Sequence, residues 1–273
     1  MPAHLMRPMP MQSIEIRSPY QIQKDVLYAL LLREFSARFG RSRVGFFWVL
    51  IEPIAHVAFP VVMFGFVIDR HVTGYDYPVF LLYGLLPYFL FRSICMQTME
   101  GVNASRGLLS YRPVHLIDLI FTKAIFTLAL ESTLFLIIGF GLSLFGYELV
   151  PALPIEWLSL MLGVSVFGLG LGMIFAAIAS FMPDARAVIR IGFMPLYFIS
   201  GVVLPISRFP PEWVERLSVN PLLHWIEASR QLGLAHYRPI DQLSYEVVFF
   251  SAAVTLFFGL ALYRLRRLSR VTT

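Results

Sequence analysis

The chain has 273 residues, of which 58% are hydrophobic and 14% charged, and its formal net charge is +5. Soluble domains carry roughly 25% charged residues, so this composition excludes an ordinary soluble globular protein. The basic residues flank apolar runs and form no patch with interleaved aromatic rings, which favours membrane-topology signals over nucleic-acid binding. Because Cys95 is the single cysteine, an intrachain disulfide and a cysteine-based metal cluster are excluded.

The N-terminal segments are predicted to lie in the cytoplasm. Residues 1–19 are rich in Met and Pro and are expected to be flexible. Apolar residues then recur at helical spacing with charged residues between them, which predicts an amphipathic helix in the membrane interface. We assign residues 20–43 to this interface helix. An apolar run follows that contains Trp48 and continues to Ile68, as is typical of a cytoplasmic membrane border.

Six apolar runs predict an all-α integral membrane protein with a six-helix transmembrane domain over residues 44–265 and a cytoplasmic tail over 266–273. The predicted spans cover residues 46–68, 78–100, 117–145, 157–181, 188–204 and 244–263. Most of the 22 Lys and Arg residues fall on or near the inner side of this arrangement. Both termini are therefore predicted to be cytoplasmic.

A segment before the last span, residues 205–235, departs from the plain alternation of spans and loops. Its prolines interrupt it, and the pieces between them are amphipathic and too short to span. We predict two short helices that dip into the outer leaflet as a re-entrant hairpin. A metal site at His224 and Glu227 lacks a third ligand, so a hydrogen-bonded hairpin is favoured. The notable hairpin residues are Pro205, Pro210, Asn220, Pro221, His224, Glu227 and Arg230.

Charged residues inside spans are costly and therefore informative. Glu52, Arg92 and Lys123 are predicted to lie at similar depth near the cytoplasmic leaflet, whereas Glu131 lies deeper. One interpretation is a Glu52–Arg92 pair that neutralises itself, which would leave Lys123 to meet an anionic substrate. The other interpretation is that Arg92, with Arg41 beside the first span, receives a phosphate or acidic sugar where the substrate enters.

Aromatic side chains make up 15% of the chain. Tyr83, Trp213 and Trp225 are candidates to line a sugar path, because sugar faces stack on rings. The alternative is the aromatic belt found in any membrane protein. Small residues at four-residue spacing, Gly168, Gly172, Ala176 and Ser180, predict a helix-packing face.

The sequence does not indicate a catalytic site within the chain itself. The sequence contains no G-x-x-x-x-G-K-[ST] loop, so any ATP-driven activity requires a separate ATPase. The inner loop 101–116 and residues 20–39 are predicted to dock such a partner. The candidate docking residues are Arg33, Arg38, Asn103, Arg106 and Arg112. We find no catalytic, metal-binding or cofactor-binding set of residues.

Two motifs carry a resemblance to a known family. The first is Arg-Phe-Gly-Arg-Ser-x-x-Gly-x-x-Trp-x-x-x-Glu-Pro over residues 38–53, and the second is Asn-Pro-x-x-His-x-x-Glu-x-x-Arg over residues 220–230. With the interface helix and six spans, they resemble permeases of type-2 ABC transporters. Within that group the chain looks like capsule polysaccharide exporters of the KpsM kind, and more loosely like O-antigen exporters.

The resemblance implies a homodimeric permease of the bacterial inner membrane that is not itself an enzyme. Two copies of a cytoplasmic, KpsT-like ATPase would bind ATP and Mg, and periplasmic and outer-membrane export components would complete the system. The implied substrate is a lipid-linked, acidic capsular polysaccharide. The alternatives are an O-antigen or teichoic-acid type permease and, from another class, an ion-coupled secondary carrier or channel. A carrier would be expected to show carboxylates at the membrane midplane, where only Glu131 is a candidate.

Overall fold

The computed structural model describes residues 18–39, 75–104 and 115–269, together with isolated helical residues at 47, 51, 54–56 and 58–60. Within these ranges the regular structure is helical and contains no strand. The helices are α1 (Pro19–Phe39), α2 (Tyr77–Ala104), α3 (Leu116–Ser143), α4 (Pro154–Phe181), α5 (Ala185–Ile199), α6 (Pro211–Leu217), α7 (Pro221–Gly233) and α8 (Tyr245–Ser269). A short 3₁₀ helix, Ile206–Arg208, lies between α5 and α6.

Four of these helices, α2, α3, α4 and α8, are long and apolar enough to cross a membrane. Each has at least 25 residues, or about 37 Å at 1.5 Å per residue, against about 30 Å of hydrocarbon. They coincide with the second, third, fourth and sixth predicted spans. The first predicted span lies mostly outside the described residues, so the count of six spans stays a prediction.

The fifth predicted span, 188–204, differs from the structure. Helix α5 has 15 residues and ends at Ile199. Its last turn closes with Gly201 N–H donating to Phe198 O at 3.1 Å. Gly201 adopts a φ of +71°, a left-handed conformation that glycine tolerates and that turns the chain out of the helix. The helix is therefore about 22 Å long, too short to span the hydrocarbon alone.

The core forms where α4 packs between α2 and α8. A Cβ atom at Gly168 would lie 2.9 Å from Phe91 O, and one at Gly172 would lie 2.8 Å from Cys95 O. Only glycine permits the two helix backbones to approach this closely. The predicted packing face is confirmed for Gly168, Gly172 and the buried Ala176, whereas Ser180, near the C-terminal end of α4, is exposed.

Candidate functional site

The predicted outer hairpin contains two helices of different character. Helix α7 is buried along nearly its whole length. Asn220 caps it by accepting a hydrogen bond from Leu222 N at 3.0 Å and donating one to Ser200 Oγ at 2.8 Å. The short helix α6 is mostly exposed, and Val214 is its buried residue. Pro210 and Pro221 stand where α6 and α7 begin and interrupt the helical structure there. Pro210 is exposed.

Arg230 anchors α7 to the rest of the subunit. Its side chain is fully buried, and Nη2 donates to Val202 O at 2.7 Å while Nε donates to Phe80 O at 3.3 Å. The guanidinium also stacks over the Phe80 ring, 3.6 Å from its centroid. Arg230 therefore joins α7 to α2 and to the turn that follows α5.

Glu227 neutralises Arg230 and is itself fully satisfied. Arg230 Nη1 donates to Glu227 Oε1 at 3.2 Å. The Tyr237 hydroxyl donates to both carboxylate oxygens at 3.0–3.1 Å, and Ile240 N donates at 3.4 Å. Burial, and then the neighbouring Glu227 carboxylate, raise the pKa of Tyr237, so its hydroxyl stays protonated and donates.

His224 closes the hairpin onto the start of α8. Ser244 N donates to Nδ1 at 3.2 Å, so the hydrogen resides on Nε2, which donates to Ser218 O at 2.7 Å. Both ring nitrogens thus bind backbone groups, in agreement with the predicted hydrogen-bonded hairpin. Pro205, before the 3₁₀ helix, is also buried.

Two of the three aromatic residues predicted to line a sugar path are core residues. Tyr83 and Trp225 have 0% exposure. The Tyr83 hydroxyl donates to Leu149 O at 2.8 Å, and Trp225 Nε1 donates to Ser251 Oγ at 3.2 Å. These rings present no surface to a polymer, so the structure contradicts the predicted lining role for them. Trp213 on α6 is 55% exposed and stays a candidate.

Arg92 lies within the candidate membrane span Tyr77–Gly101 of α2. Helix α2 continues to Ala104, twelve residues and about 18 Å beyond Arg92, which places the guanidinium-bearing residue near the middle of the helix. The side chain is half-buried, and none of the ion pairs among the described residues involves it. Its predicted partner Glu52 lies outside the described residues, as do Arg41, Arg106 and Arg112.

Lys123 is paired with a residue that the sequence did not single out. Its ammonium donates to Glu34 Oε1 at 3.1 Å and to Oε2 at 3.0 Å, which joins α3 to α1. Gln23 Nε2 on α1 donates to Asp118 Oδ1 on α3 at 2.6 Å. The charge of Lys123 is therefore already compensated, which leaves Arg92 as the better candidate to meet an anion.

The remaining predicted docking residues lie on α1 and near the C-terminal end of α2. On α1, Arg33 is exposed and Arg38 is half-buried. Asn103 falls in the last turn of α2. Arg190 on α5 donates to Glu100 on α2 at 2.6 Å.

The α2–α5 pair is rich in positive charge. Together the two helices contain Arg92, Arg186 and Arg190 but one acidic residue, Glu100. The Nε atom of Arg186 is buried and has no hydrogen-bond partner in the part of the chain that the structure describes. Arg186 as a whole is only half-buried, and it is the excess of arginines over acidic residues that favours an anionic partner.

An aromatic cleft of about 430 Å³ lies beside the C-terminal half of α5. Its volume falls within the roughly 300–1,000 Å³ typical of ligand pockets. Sequence reasoning missed it, because the segments that form it are about 140 residues apart. The cleft is lined by Ala55, His56, Phe59, Pro60, Tyr197, Phe198 and Val203.

Four helices that are long and apolar enough to cross a membrane, with the buried α7 packed among them, indicate an integral membrane protein. Residues 25–234 match the family model described as ABC-2 type transporter, and the chain belongs to this family.

Particular relatives extend the match over nearly the whole length. The chain is 36% identical to the polysialic acid transport protein KpsM of Escherichia coli, over 94% of this chain and 99% of the relative. It is 30% identical to the capsule polysaccharide export inner-membrane protein CtrC of Neisseria meningitidis serogroup A, over 77% and 79% of the two chains. It is 21% identical to the O-antigen export system permease protein RfbA of Klebsiella pneumoniae, over 88% and 91%.

Proposed function

We propose that the protein is the permease of an ATP-driven exporter that moves a lipid-linked, acidic capsular polysaccharide across the bacterial inner membrane. The observation that carries this proposal is the 36% identity to the polysialic acid transport protein KpsM over nearly the full length of both chains. Similarity to the capsule export protein CtrC points to the same class of substrate.

The energy source is proposed to be a separate cytoplasmic ATPase that binds ATP and Mg, in two copies per permease dimer. The full sequence has no phosphate-binding Gly-Lys loop, and family membership supports an ATPase partner. We place its docking surface on α1 and the inner loop 101–116. Periplasmic and outer-membrane export components complete the proposed assembly.

The proposed homodimer is supported by an uncovered apolar face on α5. Val188, Ile191 and Met194 are each at least 70% exposed and recur every three residues. A second copy packed against this face would place the arginines of α2 and α5 and the aromatic cleft near the dimer axis. A polymer moving along that axis would meet positive charge in the inner half and ring faces in the outer half.

A second candidate function is export of an O-antigen polysaccharide, which the similarity to RfbA favours. The positive charge of α2 and α5 supports an acidic polymer over a neutral one. An ion-coupled carrier is less well supported, because Glu131 already accepts a hydrogen bond from Ser93 Oγ at 2.9 Å.

Reconstitution with the partner ATPase tests this function. We expect the two proteins to co-purify, and ATP hydrolysis in proteoliposomes to rise when a lipid-linked acidic polysaccharide is added. A neutral polysaccharide on the same lipid is the control and should stimulate hydrolysis less. Equal stimulation by both would favour the O-antigen class, and ATP-independent movement driven by an ion gradient would overturn the proposal.

Orientation in the membrane is tested by thiol labelling. Cys95 is fully buried, and replacing it with Ser gives a background without cysteine. In that background, Glu212→Cys on the exposed α6 should react with a membrane-impermeant thiol reagent added to the periplasmic side. Arg186→Cys, at the start of α5, is the matched control and should react only after the inner face is opened. The reverse pattern would invert the proposed topology.

A further inference from the structure

Helix α1 is attached to α3 at three successive points. The side chains of Gln23 and Asp118 are hydrogen-bonded, Glu34 pairs with Lys123, and the rings of Phe39 and Phe126 lie 6.5 Å apart. From the first point to the last, the contacts advance sixteen residues along α1, about 24 Å, but eight along α3, about 12 Å. Helix α1 therefore crosses α3 obliquely, and its C-terminal end lies deeper along α3.

Lys123 stands where α1, α2 and α3 meet. A Cβ atom at Gly101 on α2 would lie 3.0 Å from Lys123 Cδ, so the missing side chain leaves room for the lysine stem. The side chains of Lys123 and Glu34 are 19% and 15% exposed. The Arg190–Glu100 pair is much more accessible, at 62% and 47%. Because the Lys123–Glu34 pair is shielded from water, removing one of its charges is more costly than breaking an exposed pair.

A polar seam continues from this junction toward the middle of the membrane. Gln97 Nε2 on α2 donates to Thr127 Oγ1 on α3 at 2.8 Å, and Ser93 Oγ donates to Glu131 at 2.9 Å. The polar seam comprises Ser93, Gln97 and Gly101 on α2 with Glu131, Thr127 and Lys123 on α3. Four-residue spacing on both helices places each set along one face. The seam ends beside Arg92, the residue next to Ser93.

We propose that Glu34 and Lys123 are positioning residues that join the ATPase-docking helix α1 to the inner end of the polar seam. Movement of α1 is thereby transmitted to α3 and along the seam to α2 at the level of Arg92. This inference rests on the proposed function as an ATP-driven exporter. It assigns the pair a role in coupling hydrolysis to transport, separate from binding the ATPase or the substrate.

The test measures polymer exported per ATP hydrolysed in proteoliposomes that contain the permease and its ATPase. Glu34→Gln and Lys123→Gln should each keep ATPase co-purification and basal hydrolysis, because Glu34 is turned to α3 and the candidate docking residues Arg33 and Arg38 are unchanged. Export per ATP should fall by roughly 5- to 150-fold, the range of typical coupling between linked sites. The charge-swapped double variant, Glu34→Lys with Lys123→Glu, should restore coupling. Glu246→Gln is the control, since it neutralises an exposed carboxylate at the start of α8, and it should leave the ratio unchanged.

Several results would overturn the inference. Unchanged export per ATP in both single variants would show that the pair does not couple the helices. Failure of a well-folded charge-swapped variant to recover would exclude the pair as the link. A parallel fall in co-purification and export would assign the pair to docking. Absence of ATP-dependent export in the wild-type protein would instead overturn the proposed function, so the two failures are distinguishable.

Discussion

Replacing Arg230 with Met is expected to remove most of the folded protein from the membrane. The change leaves the Glu227 carboxylate buried without its cation and takes the donors away from Phe80 O and Val202 O. Breaking a buried pair by removing one partner typically costs about 3–5 kcal/mol. That loss is comparable to the lower end of total domain stability, about 5–15 kcal/mol. Folded yield by size-exclusion chromatography and thermal unfolding in detergent measure it.

The matched control is Arg190→Met, which breaks a largely exposed pair and should cost no more than about 1 kcal/mol. The double variant Glu227→Gln with Arg230→Met should recover part of the lost yield, because it no longer buries a lone charge. If Arg230→Met were as stable as Arg190→Met, Arg230 would not anchor α7.

Replacing Arg92 with Gln is expected to leave folding intact and to abolish most export. Arg92 makes no ion pair among the described residues, so its loss leaves no described charge unpaired. A hydrogen bond to a charged group contributes about 1.5–3 kcal/mol, so losing one contact to an anionic substrate should lower export roughly ten- to hundred-fold. Export and substrate-stimulated ATP hydrolysis should fall together.

Arg92→Lys is the conservative comparison. It keeps the charge but lacks the planar fork that binds phosphate or carboxylate through two hydrogen bonds, so export should recover only in part. Lys123→Gln should behave differently, with hydrolysis maintained while export per ATP falls. Wild-type export at normal yield in Arg92→Gln would exclude Arg92 from the substrate path.

The helices were largely predictable because their signals are local. Long apolar runs predicted α2, α3, α4 and α8, the four described helices that are long and apolar enough to cross a membrane. Pro210 and the Asn220-Pro221 pair predicted the breaks around α6 and α7. The end of α5 was missed because residues 200–204 are as apolar as the helix before them. Hydropathy does not register the left-handed turn at Gly201.

The contacts of the candidate site were less predictable. Some of the partners are distant in the sequence, and others are backbone groups, which residues of every type possess. Arg230 binds the backbone carbonyls of Phe80 and Val202, and any residue supplies a carbonyl. Lys123 and Glu34 are separated by 89 residues. Their pairing depends on how α1 crosses α3, and neither local sequence specifies that crossing. Aromatic composition likewise does not distinguish the buried Tyr83 from the exposed Trp213.

The short α5 leaves about 8 Å of a hydrocarbon layer of about 30 Å to non-helical chain. Beyond Ile199 this chain is apolar in sequence, but its backbone groups have lost their helical partners and would be costly in an apolar surrounding. Two of these groups are satisfied within the subunit: Val202 O accepts from Arg230, and Val203 O accepts from the Tyr77 hydroxyl at 3.1 Å. Arg230 and Tyr77 thus supply the hydrogen bonds that another turn of helix would have made, so loss of either side chain would leave a buried carbonyl unpaired.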